Sequence, residues 1–540
     1  MSVTPDGSTT VTPHPKRWFA MAIVALAVSI IIMDATIVNV ILPVMIKDLD
    51  LTVTQAEWAN SIYALVFAAL LITVGRMADL FGRRRMLLIG IIIFTAASVV
   101  AASAPDGGIL LLGRLLQGVG GAMILPTTLS TVNAMFTGRE RGIAFAIWGS
   151  TIGGMAAVGP LVGGWLATDF SWHWAFLINV PIGLIIIFGT IFVVPETRDP
   201  HAERSVDVAG ILLSVIGLAG IVFGLIEGQN YGWWLTKDGS GWPLSVSPVP
   251  FAFAVGILAM VLFVVVELRR KRAGRPILLD LALLRIRSLR YGSIAALIVA
   301  LGEFGMLFAL PLYVQSVLEF TALGTGLLML ALAIGTFLIS GGTAQLSRRM
   351  GGKGVVRLGL ILEVIAVAGL AFSITSSANA WVLAAWLFLY GVGVGLATAQ
   401  LTNVIMVDVP VEQSGQASGF QSTVRQLGSA LGIAVLGTVL VTTLATATTA
   451  NLERIEGLPT EAQEQLVDVV TNSAGAAIPS LADIPGSNAE IQSAASDAMV
   501  TAARVTTFAA AGVLLVGLLA TMGIPGGRPQ REEAEVAPAD

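Results

Sequence analysis

Two acids stand where an acid is expensive. Asp34 sits in "IIIMDATIVNVILP" (30–43) and Glu303 in "VALGEFGMLFALPLYVQ" (299–315), both inside apolar runs. An ionised group in such a run costs several kcal/mol in lipid, so each acid marks a functional position by default. A carboxyl there can hold either a proton or a cationic molecule, and competition between the two would couple their movements. Asp34 also has a quieter reading, in which it bonds Thr36, Asn39 or Arg114 and shapes its own helix. Arg114, in "LLGRLLQGVGGA" (111–122), either snorkels outward or faces a cavity and tunes an acid. Asp408 and Glu412 are four residues apart, on one helical face, with Arg425 following. They suit a second inner gate or a proton exit, or are solvated loop charges.

The elements that would position these groups are membrane spans. The 540 residues are 55% hydrophobic and 12% charged, about half the charge of an average soluble chain. Fourteen apolar stretches of about 20 residues run from 18–40 to 499–523. The first is too long for a cleaved leader and is expected to be retained. With no cysteine and three scattered histidines, thiolate chemistry and a metal site are not expected. A net charge of −4 without a basic tail points to no nucleic-acid partner. No GxxxxGK[ST] loop is present, so nucleotide hydrolysis is not the driving force.

Lys and Arg set the orientation. With the N-terminus inside, cytoplasmic segments hold 24 of them and outer segments four, which places both termini in the cytoplasm. A weak repeat runs through the chain: "GRRR" (82–85) matches "GGKG" (351–354), "QGVGGA" (117–122) matches "YGVGVG" (390–395), and "ERG" matches "EQSG". The near-constant offsets of 269, 273 and 272 imply two parallel six-helix halves with two helices inserted between them. Span nine then answers to span one, so Asp34 and Glu303 are expected to face one central cavity. Trp58, Tyr63, Phe67, Phe304, Phe308, Tyr313 and Trp386 lie on candidate cavity helices, where rings and acids together suit lipophilic cations.

Several segments resemble one family. "GRMADLFGRRRML" (75–87) looks like the major facilitator superfamily loop between helices two and three, and "LLGRLLQGVGGA" is similar to its proton-coupled helix-four motif. "GGMAAVGPLVGGWL" (153–166) resembles the helix-five motif of antiporters. "MDATIVNVILP" (33–43) and "WHWAFLINVPIG" (172–183) are similar to the 14-span drug:proton antiporters of the QacA/EmrB type. The resemblance implies a cytoplasmic gate built from Gly75, Asp79, Gly82 and Arg83, the Asp79–Arg83 pair forming in one conformation and breaking in another. It also implies that Gly159, Pro160, Gly163 and Gly164 kink span five and pack it against the opposite half. Arg348 and Ala344 replace the acid and glycine in the second copy, which argues against a symmetric second gate.

The expected fold is all-α, an integral-membrane major-facilitator-type transporter of 14 helices arranged 6 + 2 + 6. Its parts are a disordered N-terminus (1–17), a six-helix bundle (18–194), two linker helices and a loop (195–289), a second bundle (290–523) and a disordered tail (524–540). An external hairpin (448–498) carries eight acids, and "TEAQEQLVDVVTNSA" opens on a capping-box pattern, predicting a short helix that serves as a cap or a partner surface. The expected activity is proton-coupled multidrug efflux, with no cofactor, across a bacterial plasma membrane. Substrates are small amphiphilic compounds exchanged for protons, the lipid bilayer is the other partner, and a monomer is the expected unit. The alternative is the same fold exporting one endogenous product. A membrane-embedded enzyme lacks the paired acids or histidines it would need.

Overall fold

The computed structural model describes residues 2–3, 9–10, 15–51, 53–197, 207–237, 241–455, 458–483 and 489–524. Expectations for the tail from residue 525, for most of 1–14 and for Arg198, His201 and Arg204 fall outside the described residues. Apart from a two-residue pairing of Ser2–Val3 with Thr9–Thr10 and a single bridge between Leu235 and Val246, the regular secondary structure of the described residues is helical.

The first half comprises α1 (Arg17–Asp48), α2 (Val53–Phe81), α3 (Arg83–Ala102), α4 (Gly107–Met135), α5 (Gly138–Asp169), α6 (His173–Leu177) and α7 (Asn179–Val193). Two linker helices follow, α8 (Val208–Tyr231) and α9 (Pro248–Arg272). The second half holds α10 (Arg287–Ser316), α11 (Ala322–Ser373), α12 (Ala380–Met406), α13 (Ser414–Leu452), α14 (Thr460–Asn472) and α15 (Ala489–Ala520). Thirteen helices among the described residues are long and apolar enough to cross a membrane. At the tenth expected position only Leu323–Ile339 reads as apolar helix, and it is shorter than the others.

Sequence chemistry explains where the helices begin. Asp106 accepts from the Ile109 amide at 3.0 Å and Asp207 from the Gly210 amide at 2.8 Å, so both are N-caps. Pro248 opens α9 behind Ser247, and Arg269–Arg272 close it beside the negative end of its dipole. The expected capping box at 460–463 does not form: Pro459 is the N-cap and Thr460 is already helical.

The repeat is visible in the backbone. Gly82, between α2 and α3, has φ 109°, and Gly351, at the break inside α11, has φ 73°. Both turns need the left-handed region that glycine enters freely. Gly90 of α3 packs against Gly120 of α4, and Gly359 of α11 packs in the same way against Gly393 of α12. At each contact a Cβ would fall within about 3 Å of the facing carbonyl, so only glycine allows the backbones this close.

Candidate functional site

Asp34 is buried in a polar network within the first half. Arg114 Nη1 donates to Asp34 Oδ2 at 2.6 Å, while Gln117 Nε2 and Asn179 Nδ2 donate to Oδ1, each at 2.8 Å. The guanidinium also donates through Nε to the Ala59 carbonyl at 2.9 Å and lies 4.4 Å from the centre of the Tyr63 ring. Ser98 completes the set, accepting from Gln117 at 2.9 Å and from Asn179 at 3.2 Å. One carboxylate thus gathers α1, α2, α3, α4 and α7. Arg114 points inward, and it is the partner Asp34 takes. Thr36 instead bonds back to the carbonyls of Ile32 and Met33, and the Asn39 side chain lies outside the described residues. Gln117 and Asn179 both lie inside the motifs quoted above, but as uncharged amides nothing in the sequence alone marks them as site residues.

Glu303 belongs to a second, looser cluster. Thr398 Oγ1 donates to its Oε1 at 3.2 Å, and Arg425 Nη2 stands 3.7 Å from Oε2. These groups line a small cavity with Gln421, Thr402, Leu401 and Ala296. Asp34 is not among its walls. The two acids therefore sit in separate networks, one in each half, rather than sharing the lining of one described cavity. The second network also contains a residue overlooked in the sequence. Glu363, a lone acid in the apolar "LILEVIAVAGL", is fully buried, and Glu303 and Arg425 are the charged groups that act on it. The signal that selected Asp34 and Glu303, an acid inside an apolar helix, is present there too.

At one end of the bundle the halves are tied together through Asp79. Arg83 Nη2 donates to Asp79 Oδ1 at 2.8 Å, and the amides of Gly415 and Gln416 donate to Oδ1 and Oδ2 at 2.9 Å each. Asp79 thus caps the first turn of α13, where a negative charge meets the positive end of the helix dipole. Arg83 Nη2 also reaches the Val411 carbonyl at 2.7 Å, and Asn133 donates to Ser414 Oγ at 2.7 Å. Gly75 lies against Gly415 and Gly419, where any side chain would collide with backbone. Gly82 supplies the turn that aims Arg83.

The helix-five glycines divide their work differently from expectation. Gly159 faces Met33 and Thr36, and Gly163 faces Ile37, so both seal α5 against α1 of its own half. Contacts to the opposite half come from Gly149 against Ala399, Gly153 against Thr336 and Val394, and Gly164 near Leu323. The reason is helical phase: 149 and 153 share one face, and 159 and 163 another. The helix runs unbroken through Pro160. Arg425 is not brought to Asp408 and Glu412. It pairs with Glu303, whereas Asp408 and Glu412 are exposed, and Asp408 bears on Arg141 at the start of α5.

Comparison with known proteins agrees with this architecture. The family description "Major Facilitator Superfamily" matches residues 24–433. The chain is 31% identical over 526 residues to "Multidrug efflux pump LfrA" of Mycolicibacterium smegmatis, covering 97% of this chain and 99% of that one. It is 33% identical over 435 residues to "Puromycin resistance protein pur8" of Streptomyces alboniger, covering 79% and 82%. Among solved structures, the human organic anion transporter MFSD10 superposes with a TM-score of 0.60 at 13% identity over 94% of this chain and 99% of that one, a likeness of fold alone.

Proposed function

This chain belongs to the major facilitator superfamily, and we propose that it exports amphiphilic, often cationic compounds from the cytoplasm in exchange for protons. In this reading it is a multi-pass plasma-membrane transporter of 14 spans, 6 + 2 + 6, with Leu323–Ile339 as the short tenth and both termini inside. The observation that carries the exchange is the buried Glu303–Arg425–Thr398 cluster beside a cavity. At 3.7 Å the Glu303–Arg425 pair is looser than the Asp34–Arg114 pair at 2.6 Å. A cation entering the cavity competes with Arg425 for Glu303, whereas displacing Arg114 from Asp34 would strand a carboxylate that also holds two amide side chains. Asp34 therefore acts as the organiser of the first half and Glu303 as the exchange acid.

Gate and site share one rod. α13 begins at the Asp79 cap and carries Arg425 three turns further on, about 16 Å along its axis. Opening the end held by Asp79 would move that first turn, and Arg425 with it, which supports alternating access. LfrA and pur8 bear names of drug efflux and antibiotic resistance, and this chain matches the former from end to end. The name of pur8, tied to one compound, favours the second reading of a dedicated exporter of a single product.

The test is dye efflux from everted membrane vesicles under an imposed proton gradient. Wild type should accumulate a monovalent lipophilic cation and lose it when the gradient is collapsed, and Glu303→Gln should not accumulate it. Accumulation indifferent to the gradient would refute proton coupling. A resistance profile restricted to one compound would favour the dedicated exporter.

A further inference from the structure

Glu363 is 0% exposed, and neither of its carboxylate oxygens has a hydrogen-bond partner among the described residues. It is sealed where α11 meets α12, with Gly359 and Gly393 in backbone contact and a Cβ at Gly393 only 2.7 Å from Glu363 Cγ. Tyr390 of α12 is likewise buried with an unpartnered hydroxyl. The charges that bear on both residues are Glu303 from α10 and Arg425 from α13. An ionised carboxylate without donors costs several kcal/mol in such surroundings. Arg425 is a single positive charge and stands at ion-pair distance from Glu303, so it balances one carboxylate and leaves the other to carry a proton.

We propose that the proton exchanged for a cationic substrate is carried by Glu363, while Glu303 with Arg425 is the charge pair that the substrate opens. This rests on the proton-exchange reading above and moves the proton one helix away from the acid that meets the substrate. In the step, the O–H bond of Glu363 breaks, the proton passes to water and leaves as hydronium, and the substrate's positive charge takes its place in the cluster. The net charge of the cluster is unchanged.

The experiment uses the full chain in detergent, weakly buffered with a pH-sensitive dye, and tetraphenylphosphonium as the probe. Wild type should release about one proton for each cation bound, and its affinity should rise with pH. Glu363→Gln keeps the shape and neutrality of the acid, so it should still bind the probe but release no proton and show a flat pH profile. Glu303→Gln should bind at least about tenfold more weakly, as a lost charged partner requires. Proton release by Glu363→Gln equal to wild type would overturn the proposal. Should that variant fail to accumulate, infrared difference spectra of wild type decide: binding should remove a protonated-carboxyl C=O band that Glu303→Gln retains at rest, and no such loss overturns it. Wild type that binds without proton release and ignores a proton gradient would instead sink the proton-exchange reading itself.

Discussion

Asp79→Asn should open the end of the bundle that α13 closes. The Asp79–Arg83 pair lies within the first half, four residues apart, so parting the two halves does not by itself separate it. What the closed state alone contains is the pair of amide bonds from Gly415 and Gln416, each 2.9 Å, and the Arg83 bond to Val411. An asparagine keeps one acceptor oxygen and turns an NH2 towards the other donor. Losing one charge-assisted bond weakens the closed state by about 1.5–3 kcal/mol. At 1.4 kcal/mol per decade that is roughly a 10- to 100-fold shift towards opening. The chain has no cysteine, so a single Thr402→Cys, which lines the cavity beside Glu303, provides a reporter without background. An impermeant maleimide applied from the cytoplasmic face should label the Asp79→Asn protein faster than its parent by about that factor. Equal rates would refute the assignment of Asp79 to the gate.

Other substitutions probe the remaining contacts. Arg114→Leu leaves Asp34 buried without its ion pair and should cost about 3–5 kcal/mol, read as a lower melting temperature by tryptophan fluorescence, and adding Asp34→Asn should recover part of that loss. Gly159→Val drives a side chain into Met33 and Thr36 and should separate α1 from α5, costing about 1–3 kcal/mol, whereas Gly512→Ala, with nothing within 4 Å, should be neutral or slightly stabilising. Replacing residues 458–483 with a Gly/Ser linker should leave a protein that inserts but melts at lower temperature. The reason is that Leu466, Val470, Ile478 and Leu481 are buried there, each contributing about 1.5–3 kcal/mol. An unchanged melting temperature would return the segment to the role of a dispensable partner surface.

Much of this was legible in the sequence because membrane folding writes in long, simple signals. Apolar length marks the helices, and the glycine matches of the repeat coincide with the shared positive φ of Gly82 and Gly351. The helix at 460–472 was readable from its pattern, although its cap was not, since a proline at 459 occupies the boundary. Hidden from the sequence was which face each residue presents. Gly149 and Gly159 look alike in a row of glycines, yet one meets the opposite half and the other its own. Proximity along the chain groups Arg425 with Asp408 and Glu412, and only packing shows that helix α13 carries it inward to Glu303. Glu363 obeys the same rule as Asp34, an acid inside an apolar helix.

The central claim is that proton and substrate movements are obligatorily linked. It is tested most directly in proteoliposomes containing only this protein, with a pH-sensitive dye trapped inside and no proton gradient imposed. An outwardly directed gradient of tetraphenylphosphonium should drive protons into the lumen against their own gradient, and Glu303→Gln should abolish that acidification. Cation leaving the vesicles while the lumen pH stays flat would contradict the account.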